Sequence, residues 1–247
     1  MPGAYGGRML RHTEAMPERE DGARALQMAV RVEKLTPPEL DDAFIAAAKG
    51  VIALLDDYRC IPGGEWHDEV ASWKSARIRK ICRRARASAW QRAQGAAGRT
   101  VSYGTAEVRV FVPGIIDQAP PEVSKLQIQA SPLPPMDPVD TLVPVAVSTV
   151  TIGLNPSVDM TWGKQAAQVG HAAQRCWESL SRHDRLDWNA GTRQVRVVAA
   201  TPALWDERFA SAPTQIRDGG FTEVAPGTLT AAAFLDRPLA SRVTTVT

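Results

Sequence analysis

The 247-residue sequence has few cysteines and no long apolar run. Its three cysteines, Cys60, Cys82 and Cys176, include no pair at C-x-x-C spacing, which argues against a zinc site built on cysteine pairs. An odd, sparse set also argues against a secreted disulfide scaffold, so we expect reduced thiols and a cytoplasmic protein. No stretch approaches the roughly 18 consecutive apolar residues of a membrane-spanning helix, and we expect no membrane partner.

The chain also lacks a strong net charge. It carries 29 Lys+Arg against 27 Asp+Glu, so the total gives no global indication of nucleic-acid binding. A hydrophobic content of 44% excludes a wholly disordered chain. The near-zero total conceals local contrast, because eight basic residues and no acidic residue lie between Lys74 and Arg92.

Prolines and charge divide the chain into four parts. Residues 1–25 have no apolar core of a signal peptide and are interpreted as a flexible leader. Residues 113–144 hold eight of the 18 prolines and are interpreted as a stiff connector. Strand-like and helix-like patterns alternate on both sides of the connector, which predicts an N-terminal α/β domain over 26–112 and a second α/β domain over 145–247.

The dense basic run of the first domain is predicted to be part of a helix from about His67 to Ala93. A dense run of basic residues without any acidic residue favours a phosphate-binding surface. Arg79, Arg83 and Arg86 are the expected RNA contacts. The alternative is a solvated face neutralised by nearby acids such as Asp56 or Asp57.

A polar stripe marks the first helix of the second domain. Lys164, Gln168, His171 and Arg175 follow the spacing i, i+4, i+7, i+11, which places them on one face of a helix. The helix N-terminus at Gly163 offers backbone N–H groups beside the lysine ammonium, which suits a phosphate or an oxyanion. The alternative is an ordinary solvated polar face.

A second polar segment, RDGGFTEVAPGT, follows a strand pattern from Arg217. Its glycine pair indicates a close backbone approach. Asp218 could orient a lysine or a water, and the Thr222 hydroxyl could donate to a substrate oxygen. The alternative is turn chemistry, with Asp218 closing an Asx turn.

Together the two segments resemble the archaeal and eukaryotic type of peptidyl-tRNA hydrolase. That family has a G-K-x-A-A-Q…H-A helix after its first strand, similar to GKQAAQVGHA from Gly163. It has a D-x-G-x-T-x-x-x-P-G segment before its last strand, similar to DGGFTEVAPG from Asp218. The resemblance covers about residues 145–235.

The resemblance implies a four-stranded mixed sheet with helices on both faces, and hydrolysis of the ester between a peptide and the 3′ ribose of tRNA, which recycles tRNA. It implies peptidyl-tRNA as the partner, and neither a metal nor an organic cofactor. The family's lysine, aspartate and threonine correspond to Lys164, Asp218 and Thr222, and its helix histidine to His171. The expected tRNA contacts on the helix are Gly163, Gln168 and Arg175.

Two departures from the family pattern remove positive charge. Thr161 to Gly163 stand where the family has a second basic residue, and Phe221 stands where it has a basic residue between Gly and Thr. The alternatives are therefore a non-catalytic RNA- or protein-binding module with the same fold, or a hydrolase for another aminoacyl or peptidyl conjugate.

The first half carries weak echoes of the second. The segment from Gly98 to Thr105 resembles that from Gly220 to Thr228, and Arg79 and Arg86 have the spacing of Lys164 and His171. We interpret the first domain as a degenerate copy that lost its aspartate. Family members are commonly homodimers, so we expect either a homodimer or an internal pseudo-dimer.

Overall fold

The computed structural model describes residues 22–128 and 132–238. Within these ranges the chain forms two five-stranded mixed sheets flanked by helices, which confirms the expected α/β class. Most of the predicted leader, residues 1–21, lies outside the described residues, and Arg24 already begins the first strand. In the described part of the chain, no helix is long and apolar enough to cross a membrane.

The first sheet comes from the first half of the chain. Its strands are β1 (Arg24–Arg31), β2 (Lys80–Ala85), β3 (Gly98–Tyr103), β4 (Ala106–Phe111) and the short β5 (Gly114–Ile115). The strand order is β2-β1-β4-β3, with β5 paired to the start of β1. Strand β1 runs parallel to β2 and antiparallel to β4.

Four helices accompany this sheet: α1 (Leu40–Leu55), α2 (His67–Ser75), α3 (Ala87–Ala93) and α4 (Pro121–Ser124). Helix α1 covers one face with a nearly continuous apolar surface. On the other face, the buried side chains of α3 and α4 form a smaller cluster with Ala29, Ala85 and Phe111.

The predicted basic helix from His67 to Ala93 is wrong. The chain there forms helix α2, strand β2 and helix α3, and Lys80, Arg83 and Arg84 lie on the strand. A continuous helix would have concentrated like charges along a single element, which destabilises it. Pairing of Lys80–Ala85 with Leu26–Arg31 of β1 instead separates alternate side chains onto two faces of the sheet.

The second sheet comes mainly from the second half. Its strands are β6 (Pro138–Val139), β7 (Thr149–Leu154), β8 (Gln194–Ala200), β9 (Thr214–Arg217) and β10 (Leu229–Asp236), in the order β6-β8-β7-β10-β9. The last four strands of this order are the expected four-stranded mixed sheet, and the predicted connector adds β6 at its edge.

Helices lie on both faces of this second sheet. They are α5 (Trp162–Ser179), α6 (Arg182–Ala190) and α7 (Pro202–Leu204), and a π-helical turn (Trp205–Phe209) follows α7. Helix α5 packs on β7, β9 and β10. Phe209, from the π-helical turn, packs on the opposite face with Val198 and Ala232.

The two halves share one topology. Apart from the short β5 and β6, each half contributes four strands to its sheet. The second of the four lies parallel beside the first, the fourth lies antiparallel on the other side of the first, and the third pairs with the fourth. Helix α1 therefore takes the place of α5, and the match of Arg79–Arg86 with Lys164–His171 is wrong because that segment contains β2. Both helices carry Ala-Ala-x-x-Gly, ending at Gly50 and Gly170.

Helices α1 and α5 contact each other between the sheets, and α5 also contacts β2 of the first half. A Cβ added at Gly170 would lie 3.2 Å from both Val51 Cγ2 and Lys80 Cδ, so glycine permits this close approach. One apolar core accordingly contains side chains of both halves. The helix carrying Lys164 is therefore packed directly against the basic strand of the first half.

Candidate active site at the N-terminus of helix α5

The N-terminus of α5 is held by the long loop between β9 and β10. Thr161 caps the helix, because its Oγ1 accepts from the backbone N–H of Lys164 at 3.3 Å. Glu223 of the loop in turn accepts from the backbone N–H and the hydroxyl of Thr161, both at 2.8 Å. This contact ties the loop to the first turn of α5, where the predicted lysine lies.

Lys164, Asp218 and Thr222 meet at this point. Lys164 Nζ lies 2.5 Å from Asp218 Oδ2 and 3.1 Å from Thr222 Oγ1. Only 13% of the Lys164 side chain and 6% of the Asp218 side chain are exposed. The structure therefore brings together three of the four predicted catalytic residues, in a nearly dry ion pair with a hydroxyl beside it.

Asp218 is also fixed by neutral donors. Gln168 Nε2 donates to its Oδ2 at 2.8 Å, and the backbone N–H of Gly220 donates to its Oδ1 at 2.8 Å. With Lys164, three donors thus hold this buried carboxylate in one orientation. Gln168, predicted as a tRNA contact, therefore has a positioning role for the carboxylate.

Thr230 on β10 was missed by the sequence analysis. It is fully buried, and its Oγ1 lies 2.7 Å from Gln168 Oε1. By donating to the amide oxygen, the hydroxyl orients Gln168 so that its NH₂ group faces Asp218. The available signal was a polar residue between the apolar Leu229 and Ala231 of the strand pattern TLTAAAFL.

Backbone geometry holds Asp218 at the start of its loop. The Asp218 N–H donates to the carbonyl of Thr228, and the Gly227 N–H donates to the carbonyl of Asp218. Gly220 has a φ of +76°, and an added Cβ would lie 2.3 Å from Pro226 Cγ. The left-handed conformation and the close proline both require glycine there.

His171 lies two turns further along the helix, away from the ion pair. Its Nδ1 is 3.3 Å from Nζ of Lys80 on β2, and that lysine also donates to Gln174 Oε1. Although the ring retains some exposed surface, desolvation and the charges of Lys80, Lys164 and Arg175 hold the pKa of His171 well below its usual range. The imidazole is therefore neutral at pH 7.

Lys80 is a buried cation that the sequence analysis did not single out. Its side chain lies against the Trp73 ring, with Nζ 5.0 Å from the ring centroid. Burial holds the pKa of Lys80 well below its usual range, while the Glu178 carboxylate opposes this effect. The first half thus contributes a titratable group next to His171.

These residues line one cleft of about 930 Å³ between the two halves. All four predicted catalytic residues line it, as do Gly163, Gln168, Arg175 and Arg79. Two acidic side chains line the cleft, Asp218 and Glu223, against seven basic ones: Lys74, Arg77, Arg79, Lys80, Lys164, Arg175 and Arg217. Its electrostatic character therefore favours an anionic ligand.

Two of the predicted RNA contacts do not line the cleft. Arg83 is buried, where it donates to Gln27 Oε1 and to the carbonyl of Leu126, both at 2.7 Å. Arg83 therefore stabilises the packing of α4 and its following residues on the first sheet, and this corrects its predicted RNA-binding role. Arg86 is exposed at the N-terminus of α3, outside the cleft.

Among the described residues of the first half, the site has no second copy. In the shared Ala-Ala-x-x-Gly register, buried Phe44 and Val51 stand where Lys164 and His171 stand in α5. The turn at Gly104 and Thr105 between β3 and β4 replaces the long loop of residues 218–228. Across the described ranges, no group of three or more His, Cys, Asp or Glu side chains is placed to hold a metal ion.

No protein-family model matches the chain, and a search of solved structures finds none with a significant match.

Proposed function

We propose that this protein hydrolyses the ester between a peptide and the 3′ ribose of tRNA. The observation that carries the proposal is the position of Lys164 Nζ, within hydrogen-bond distance of Asp218 Oδ2 and Thr222 Oγ1 inside a predominantly basic cleft. The resemblance of the α5 and β9–β10 segments to peptidyl-tRNA hydrolases supports the same activity.

The hydrogen-bond donors of Lys164 and Thr222 suit them to bind the substrate's carbonyl oxygen. The ammonium of Lys164 has three N–H donors, of which two point to Asp218 and Thr222. The third has no partner among the described residues and is available for a carbonyl oxygen. Because Thr222 Oγ1 accepts from Lys164, its own O–H can donate to the same oxygen, and the pair would stabilise a tetrahedral oxyanion.

Asp218 is suited to orient the attacking water. Its Oδ2 is occupied by Lys164 and Gln168, but its Oδ1 has one further acceptor site beside the Gly220 N–H. Water held there attacks the ester carbon and transfers its proton to Asp218, which returns a proton to the departing 3′ oxygen. An ester has a good leaving group, so positioning supplies most of the required acceleration.

His171 has a different role from its predicted one in this scheme. Seven residues along a helix separate it from Lys164 by about 10 Å of rise. Its Nδ1 faces Lys80 of the first half, so this scheme assigns the water to Asp218 and not to His171. The neutral ring, in contact with Lys80, instead contributes to the wall of the cleft that receives the RNA.

The test is release of peptide from N-blocked aminoacyl-tRNA by the purified chain. We expect the Lys164→Ala and Asp218→Ala variants to lose at least about 100-fold in kcat, the scale seen when an oxyanion donor is removed. Lys125→Ala and Asp206→Asn serve as matched controls, because both side chains are exposed outside the cleft. Full activity of Lys164→Ala would refute the assignment.

The same assay separates hydrolysis from binding alone. If the wild type releases no more peptide than Asp218→Ala while still binding tRNA, the site is an RNA-binding module that retains the fold. If it cleaves small N-blocked aminoacyl esters but not the tRNA conjugate, it is a hydrolase of another conjugate.

A further inference from the structure

An exposed aromatic side chain lies beside the candidate active site. Phe221 precedes Thr222 in the β9–β10 loop and has 51% of its surface exposed. Two arginines of the first half lie at its ring, with the guanidinium carbon of Arg77 5.6 Å and that of Arg79 4.6 Å from the centroid. All three side chains line the cleft.

The first half fixes these arginines in place. They flank Ile78 in the short segment that leads from α2 into β2. Ile78 packs against the core, whereas Arg77 and Arg79 lie at the Phe221 ring. The carbonyl of Arg79 accepts from the buried Trp73 Nε1 at 3.1 Å and from the Leu26 N–H at 3.0 Å.

The β9–β10 loop has room for the Phe221 ring beside its own backbone. A Cβ added at Gly219 would lie 2.7 Å from Phe221 Cε2, so the ring lies close over the glycine backbone. The absence of a side chain at Gly219 therefore allows Phe221 to project toward Arg77 and Arg79. The loop and the first half together hold an aromatic ring and two cations on one wall of the cleft.

We propose that Phe221, Arg77 and Arg79 form a platform for the single-stranded 3′ end of an RNA. A nucleobase would stack on the exposed part of the ring, while the guanidinium groups bind phosphate and extend the stacked surface. A positively charged groove with an aromatic platform is the arrangement that single-stranded nucleic acid favours over a neutral peptide. The cations absent from the second half are thereby supplied by the first.

The position of the platform matches the proposed chemistry, and this inference rests on the proposed function. Phe221 and Thr222 are adjacent, and Thr222 contacts Lys164. A base stacked on Phe221 would therefore belong to a nucleotide near the esterified 3′ ribose. The platform would place the ester at the ion pair without taking part in the reaction.

The experiment measures binding of a ten-nucleotide single-stranded RNA without any ester, by fluorescence anisotropy over a range of salt concentrations. We expect Phe221→Ala and Phe221→Leu to weaken binding by about 5- to 100-fold, the range for loss of one base–aromatic stack. Phe221→Trp should retain it. Arg77→Ala/Arg79→Ala should reduce the slope of log K against log salt by roughly 1.4, because each lost phosphate contact accounts for about 0.7.

Arg92→Ala/Arg182→Ala is the matched control, because both arginines are exposed and lie outside the cleft. Unchanged melting temperatures would show that the platform variants fold. The proposal is overturned if the wild type does not bind the oligonucleotide, if it binds a duplex equally well, or if Phe221→Leu binds like the wild type.

This test is independent of hydrolysis. RNA binding that depends on Phe221 in a protein without esterase activity would support the platform and refute the proposed function. Esterase activity of the wild type, together with normal RNA affinity of Phe221→Leu, would support the proposed function and refute the platform.

Discussion

The Lys164–Asp218 ion pair predicts a strongly coupled effect on stability. Lys164→Met and Asp218→Asn each remove one charge with little change in size, and the double variant removes both. After Lys164→Met, the carboxylate keeps the Gln168 and Gly220 donors. After Asp218→Asn, the ammonium keeps only the Thr222 hydroxyl among the described residues.

The expected magnitudes follow from burial. Removing one partner of a fully buried pair costs about 3–5 kcal/mol. The Lys164 side chain is 13% exposed, so water reduces this penalty. We expect losses of about 1–3 kcal/mol for Lys164→Met and about 2–4 kcal/mol for Asp218→Asn, with the double variant within about 2 kcal/mol of the wild type.

The assay is urea unfolding of the four proteins at pH 7, with Lys125→Met and Asp206→Asn as exposed controls. The free energies of unfolding should give a coupling energy of at least about 1 kcal/mol. Losses that add within about 0.5 kcal/mol would show that the two charges do not depend on each other, and the reasoning from their proximity would be refuted.

Two further predictions concern neighbouring residues. Thr230→Val should lower the free energy of unfolding by about 1–3 kcal/mol, because it leaves the buried Gln168 oxygen without its donor. Thermal unfolding should show this loss, and Thr230→Ser should restore the stability. An unchanged melting temperature of Thr230→Val would contradict the role of Thr230. The folded-state pKa of Lys80 lies below its unfolded value of about 10.4. At a pH between the two pKa values, unfolding therefore takes up a proton. Over that pH range the contribution of Lys80 to stability rises with pH, by up to about 1.4 kcal/mol per pH unit. Urea unfolding at pH 7.5 and 9.5 should show that the wild type becomes more stable relative to Lys80→Met over this interval. The contributions of other titrating groups cancel between the two proteins. The same stability difference at both pH values would contradict the burial of Lys80.

Local patterns were sufficient for much of the second half. The spacing of Lys164 and Gln168 places both on one helical face whatever surrounds the helix. The segment TQIR before Asp218 is consistent with a strand in many contexts. The chemistry of residues 163–172 and 218–227 could therefore be located from the sequence. Their separation in the chain gave no distance between Lys164 and Asp218.

The basic segment shows where local pattern fails. Ile78, Ile81, Ala85 and Ala89 are spaced as on a helix, yet Lys80–Ala85 is a strand because it pairs with β1, more than 50 residues earlier. Such pairing is a long-range interaction that overrides local preference. The same strand buries Arg83 and places Lys80 against α5, so the roles of these cations depended on the partner strand.

The sequence by itself determined the α/β class, the two helix-and-loop segments that carry the candidate chemistry, and the small net charge. Only the tertiary structure decided that Gln168 and Thr230 orient Asp218, and that Phe221 meets Arg77 and Arg79. The physical reason is that hydrogen bonds and ring contacts act over a few ångströms. Residues far apart in the chain reach that distance only through tertiary packing. The packing of α5 on β9 and β10 brings Gln168 to Asp218 and Thr230, and the packing of the two halves against each other brings Phe221 to Arg77 and Arg79.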